Sequence, residues 1–205
     1  MFTFPVTFFG ASGPRRVFTA LPAAQLSAAS FSFTSTALGD ALPGRLIVVG
    51  VTMETTGTNF TFSSVTVAGN AATSVVEREQ TDTLQKTRIA LYQVSLSTGT
   101  SGTIVVTFGG SVTRCQVGVW AVYDLVSHTV NTTANDGQND GTTASFNINI
   151  PATGIMLTTA CMFGGTATQT LSGAGTIDGS DGAVTGARQW ASYQAGGAET
   201  GRAVS

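Results

Sequence analysis

A chain of 205 residues and 20.9 kDa can bury a full core, but with 10% charged residues, a net charge of −2, a single lysine (Lys86) and a single basic pair (Arg15 and Arg16) it has no stripe that could track a phosphate backbone, which argues against nucleic acid as a partner. Globular chains usually carry about 25% charged residues; here 42% hydrophobic residues and 25 glycines take their place, so self-association meets little electrostatic opposition. No apolar run approaches the roughly 20 residues of a membrane-crossing helix, and the opening MFTFPVTFFGASGPRR puts its arginines after the apolar stretch, the reverse of a secretory signal, which predicts cytoplasmic synthesis without export.

Along the chain, Phe2, Phe4, Val6 and Phe8 share one parity, as in a strand with one apolar face. The segment reads either as a first strand of its own domain or as an extended arm that adds to a neighbour's sheet, with Phe2 and Phe4 as partner contacts. Residues 20–29 (ALPAAQLSAA) have the only helical composition, with Pro22 suited to a first turn. Residues 30–35 (SFSFTS) alternate as a strand with Phe31 and Phe33 inward. A loop with Gly39, Asp40, Pro43 and Gly44 then leads into residues 45–53 (RLIVVGVTM), where Leu46, Val48 and Gly50 point one way and Ile47, Val49 and Val51 the other. Both faces are apolar, which marks a central strand covered on both sides.

Further β-branched and aromatic runs follow at 64–69, 88–96, 103–108 and 114–124. The last repeats the two-faced pattern, with Cys115, Val117, Val119, Ala121 and Tyr123 opposite Gly118, Trp120 and Val122. Two such strands imply stacked sheets or a subunit interface. A polar loop at 129–142 precedes strands at 143–150 and 154–163, and the Gly-rich remainder offers short strands at 168–171 and 187–194. The fold class is all-β, an antiparallel β-sandwich or barrel with at most one short helix. Residues 1–40 form an N-terminal arm or first strands, and 41–205 the sandwich domain.

The inventory for catalysis is thin. His128 is the only histidine, which removes two-histidine metal motifs, and neither a GxSxG elbow nor a phosphate-binding lysine loop occurs. Asp124, Ser127 and His128 could be drawn as a triad, but a turn at a strand exit explains them better. Glu77 and Glu79, at i and i+2, would lie roughly 7 Å apart on one strand face, a spacing compatible with inverting glycoside hydrolysis; beside Arg78 and Gln80 they read better as a solvated edge. From Asp136 to Asn147 the chain resembles a calcium loop that lacks the bidentate glutamate, and Asp-Gly turns account for it, as they do for Asp178–Gly182. No metal or cofactor is expected. Cys115 and Cys161 fall inside strand-like runs and read as buried thiols, with a disulfide as the alternative. Trp190 and Tyr193, in a polar late segment, are the best aromatic candidates for stacking on a sugar, although burial under a loop is the better reading of Trp190; Trp120 reads as core.

The phrases PGRLIVVGVTMET, SSVTVAGNAATSVVE, TRIALYQVSLSTGTSGTIVVTF and RCQVGVWAVYDL, then a polar loop and TASFNINIPATG, resemble a group of small virion proteins of tailed bacteriophages and prophages. The likeness spans about half the chain and its motifs are compositional. It implies a jelly-roll-like sandwich on a capsid, tail or fibre: a non-enzymatic structural protein, homo-oligomeric, located in the virion as a capsid decoration, head spike or tail module. Its partners would be copies of itself and other virion proteins, with no membrane partner. The alternative is a carbohydrate-binding module that reads a host-surface glycan.

Overall fold

A computed structural model describes residues 2–8, 10–24, 26–56, 60–81, 85–137, 144–163, 170–181 and 186–205. The strands in chain order are β1 (Phe2–Phe8), β2 (Gly10–Ala20), β3 (Ala23–Ala24), β4 (Ala28–Ala37), β5 (Leu46–Thr56), β6 (Phe62–Val67), β7 (Asn70–Ala71), β8 (Thr73–Thr81) and β9 (Gln85–Ser95). There follow β10 (Ser101–Val112), β11 (Arg114–Leu125), β12 (Thr132–Thr133), β13 (Asp136–Gly137), β14 (Phe146–Ile150), β15 (Ile155–Phe163), β16 (Thr176–Asp181), β17 (Gly186–Gln194) and β18 (Glu199–Val204). All pairings are antiparallel, and the chain is all-β as its pattern predicts.

Four sheets stack face to face. Sheet I has the order β4-β10-β6-β7; sheet II, β2-β11-β5-β9-β8, with β3 also on β11; sheet III, β12-β1-β15-β17-β16, with β13 also on β1; sheet IV is the pair β14-β18. A sandwich is therefore present, extended to four layers with three apolar seams. Between I and II lie Phe31, Phe33, Ile47, Val49, Val51, Val106, Val117 and Val119 among others. Between II and III lie Val6, Phe8, Val48, Leu91, Trp120, Leu157 and Trp190. Ile148, Ile150, Met156 and Val204 help to close the third seam, between III and IV.

Sheet II is covered on both faces, which is why β5 and β11 are buried almost end to end. Their doubly apolar sequences are the physical cause, since either face left in water would expose a row of Val and Ile. Two glycines make the II–III seam possible. Gly50 and Gly118 are register partners across β5 and β11, and a Cβ on either would collide with the Trp190 indole, or in Gly50's case also with Thr159 Oγ1. Trp190 fills the hollow they leave and donates its Nε1 hydrogen to the Gly50 carbonyl at 3.3 Å.

Several sequence expectations shift. Residues 20–29 form no helix among the described residues: Ala20 ends β2, and Ala23 and Ala24 pair with β11 through Gln116 and Cys115. Alanine-rich composition favours helix only weakly, and a run this short interrupted by Pro22 gains more from pairing along a long strand. Asp178–Asp181 is not a turn but part of β16, with Asp178 the extra residue of a bulge between Ile177 and Gly179. Of the strand expected at 168–171, residues 168 and 169 lie outside the described residues, and Thr170 and Leu171 are not in a strand. The first 40 residues supply strands to three sheets: β1 pairs along β15, β2 and the short β3 along β11, and β4 along β10.

Candidate functional site

The polar side chains singled out in the sequence are held in structural pairs. On β8, Glu77 and Glu79 grip the two terminal nitrogens of Arg88 on β9, so the carboxylates that would flank a sugar bond instead neutralise one guanidinium. Thr61, Phe62 and Arg78 complete an open groove around them. His128 meets neither Ser127 nor Asp124 in a triad. Its Nε2 donates to the Gly44 carbonyl at 3.0 Å, which fixes the tautomer, and its Nδ1 accepts from the Ser95 hydroxyl at 2.6 Å. Ser127 Oγ accepts instead from the Thr129 backbone N–H at 3.0 Å. The histidine thus clips the chain after β11 to β9 and to the loop before β5.

Trp190 is fully buried and offers no face to a sugar. Tyr193 is half-buried, one face of its ring covered by the Arg202 guanidinium at 3.6 Å, and its hydroxyl donates to Glu199 at 2.5 Å. That bond raises the Tyr193 pKa and lowers that of Glu199, which Arg202 Nη1 also contacts at 2.8 Å. Phe2 and Phe4 sit in β1 with backbones opposite Cys161 and Thr159; their side chains lie outside what is described. Trp120 is core, as its strand predicts, and its Nε1 donates to Asp178 Oδ2 at 2.8 Å across the II–III seam. Asp136 Oδ2 accepts from the Ser145 backbone N–H at 2.8 Å; residues 138–143 of the calcium-like loop lie outside the described residues, and its last position, Asn147, pairs with Ala203 in β14. Among the described residues no group of three or more His, Cys, Asp or Glu could hold a metal ion. Cys115 and Cys161 are free thiols in different seams on opposite sides of sheet II, so no disulfide joins them.

Two buried charges are not apparent from the sequence as structural anchors. Arg45 is wholly buried and donates to six backbone carbonyls: Leu96 from Nε, Leu38, Gly39 and Asp40 from Nη1, and Thr98 and Gly99 from Nη2, at 2.7–3.1 Å. It fastens the loop after β4 to the turn after β9. Glu54, 1% exposed, joins Arg188 of β17 across the II–III seam and lies 3.6 Å from Arg114 of β11. The signal that could have found them is position, because each ends a strand run that is otherwise apolar on both faces.

One surface is distinguished by what it lacks. The four strands of sheet I read AASFSFTSTA, FSSVTV, NA and SGTIVVTFGGSV, without one ionisable side chain. Strand alternation sends Phe31, Phe33, Val65, Val67, Ile104 and Val106 to the core and leaves hydroxyls outside. Cross-strand register places Ser32, Val105 and Thr66 in one row and Ser30, Thr107 and Ser64 in the next. The outer face of sheet I is thus largely hydroxylated and uncharged. Such a face can approach another surface without desolvating ions, which cost far more to bury than hydroxyls able to re-form hydrogen bonds.

No family model, curated protein or solved structure matches the chain.

Proposed function

We propose that this chain is a non-enzymatic structural protein of a tailed-phage virion, mounted on the capsid or tail as a decoration, spike or fibre module and present in several copies. The observation that carries the reading is sheet I, a whole layer without ionisable side chains, on a body whose His128, Glu77 and Glu79 are tied into internal pairs. A surface of that kind adheres by shape and hydrogen bonding and has no reacting group to present. The stacked layers supply rigidity, since sheet II is clamped between two seams and crossed by the Glu54–Arg188 pair. The phrase-level likeness to phage virion proteins points to the same role. A glycan-binding reading would have to do without Trp190, whose ring is sealed, and with a Tyr193 ring that Arg202 already covers on one face.

Mass spectrometry of purified particles released by the host carrying the gene tests this. The chain should co-purify at a stoichiometry of many copies per particle through a density gradient. Its presence in the lysate but not in gradient-purified particles would overturn the reading.

A further inference from the structure

We infer that β4 is a self-pairing edge through which two copies of this chain join their first sheets into one continuous antiparallel sheet; the inference rests on the assembly role above and names the partner of the same sheet. A free edge strand offers a row of unpaired N–H and C=O groups, and folded proteins usually guard it with charge, proline or brevity. Sheets II, III and IV follow that rule among the described residues. β8 carries Glu77, Arg78 and Glu79; β2 carries Pro14, Arg15 and Arg16; β16 carries Asp178 and Asp181; β18 carries Glu199 and Arg202; and β14 is short. β4 borders sheet I over ten residues with neither charge nor proline.

Symmetry narrows the occupant to a second copy. A two-fold axis through an antiparallel pair sets the residue on the axis against itself and its neighbours against one another, so charges clustered at the axis meet like charge directly opposite, which is destabilising. On β8 an axis at Arg78 would oppose Arg78 to itself and Glu77 to Glu79. On β4 the same operation opposes only Ser, Thr, Ala and Phe, and parity keeps Ser30, Ser32 and Thr34 on the outer face while Phe31 and Phe33 extend the core face. The usable window is 28–33, where the one irregularity, between Ser30 and Ala28, places its extra residues on β10. Beyond it, Thr34 and Ser35 bulge opposite Thr103, Ser35 has φ 54°, and the Ala37 carbonyl already accepts from Thr19 Oγ1 at 2.8 Å. Leu26, 64% exposed just before the strand, adds apolar area at the other end. One edge of this length buries less than the roughly 1,000 Å² of a durable interface, so the dimer is weak alone and gains strength where many copies are held together.

Sedimentation equilibrium of the intact chain from micromolar to several hundred micromolar tests the inference. The expected result is a concentration-dependent monomer–dimer equilibrium that Ser32→Lys weakens at least tenfold while circular dichroism stays unchanged and Ser32→Thr leaves it intact. If Ser32→Lys proves misfolded, Ala29→Lys, exposed on the same edge, serves in its place. A strict monomer over the whole range, or a dimer indifferent to the lysine, overturns the edge pairing. Neither outcome touches incorporation into particles, which is read separately, so the two proposals fail independently.

Discussion

The tightest constraint at the residue scale is the triplet Gly50, Gly118 and Trp190. A methyl group added at Gly118 lands on the indole, which is fully buried in the seam, so the ring or its neighbours must shift. Overpacking of this kind costs about 1–3 kcal/mol, so Gly118→Ala should lower the stability read from urea unfolding by that amount, whereas Gly196→Ala, with open space at its Cβ, should change little. A stability equal to wild type would mean that the indole is not seated as described. The second constraint is electrostatic. Glu54→Gln leaves Arg188 buried opposite a neutral amide, and breaking a buried pair costs about 3–5 kcal/mol. Burial decides this, because the side chains of Glu54 and Arg188 are 1% and 4% exposed.

At the scale of elements, the edge strand β8 makes the contrast. Glu79, its side chain 43% exposed, holds Arg88 in solvent-screened surroundings, so Glu79→Gln should cost under about 1 kcal/mol in the same urea titration; a loss matching that of Glu54→Gln would show that the edge clamp matters more than its exposure allows. The same contrast between core and edge explains which strands are legible in the sequence. β5 and β11 stand out because both parities are apolar, and the alternation of Phe31 and Phe33 identifies the inward face of β4. β8, β16 and β18 are hidden, since edge strands carry charge and lose the alternation that burial enforces. Residues 20–29 mislead because their alanine content suggests a helix, while the long strand that captures Ala23 and Ala24 lies far along the chain. The layer order cannot be read at all: the Glu54–Arg188 contact joins strands far apart in the chain, and no local pattern encodes which seam a strand closes. Among the site residues, Trp190 shows the limit most clearly: its burial can be expected from the sequence, but not that two glycines on distant strands make the hollow it fills.

For the whole molecule, the seams hold acidic hydrogens that the folded chain keeps and the unfolded chain releases. Burial pushes the Cys161 thiol up to about 12 and raises Cys115 as well; Tyr92 also rises to about 12, through burial first and the Glu77 charge second. Since each pKa is raised on folding, this contribution is complete below the unfolded values, near 9 for thiols and 10 for tyrosine, and is lost as pH climbs toward 12. Each group that ionises only in the unfolded chain removes about 1.4 kcal/mol per pH unit. Thermal melts should therefore be independent of these groups at pH 8 and fall increasingly from pH 9 to 11, and replacing both cysteines with alanine should flatten the profile between 9 and 10. A melting temperature unchanged up to pH 11 would contradict the burial assigned to both thiols.

The same architecture suits the molecule to its proposed role in a particle. Four layers supply rigidity, internal ion pairs leave little charge to repel a neighbour, and one uncharged sheet presents an open edge. Comparison of particle maps by cryo-electron microscopy, with the gene intact and with it deleted, tests that account most directly. The account predicts that deletion removes density of layered β-sheets from the capsid or tail surface, with sheet I turned toward a neighbouring subunit. Identical maps, with the protein free in the lysate, would contradict it.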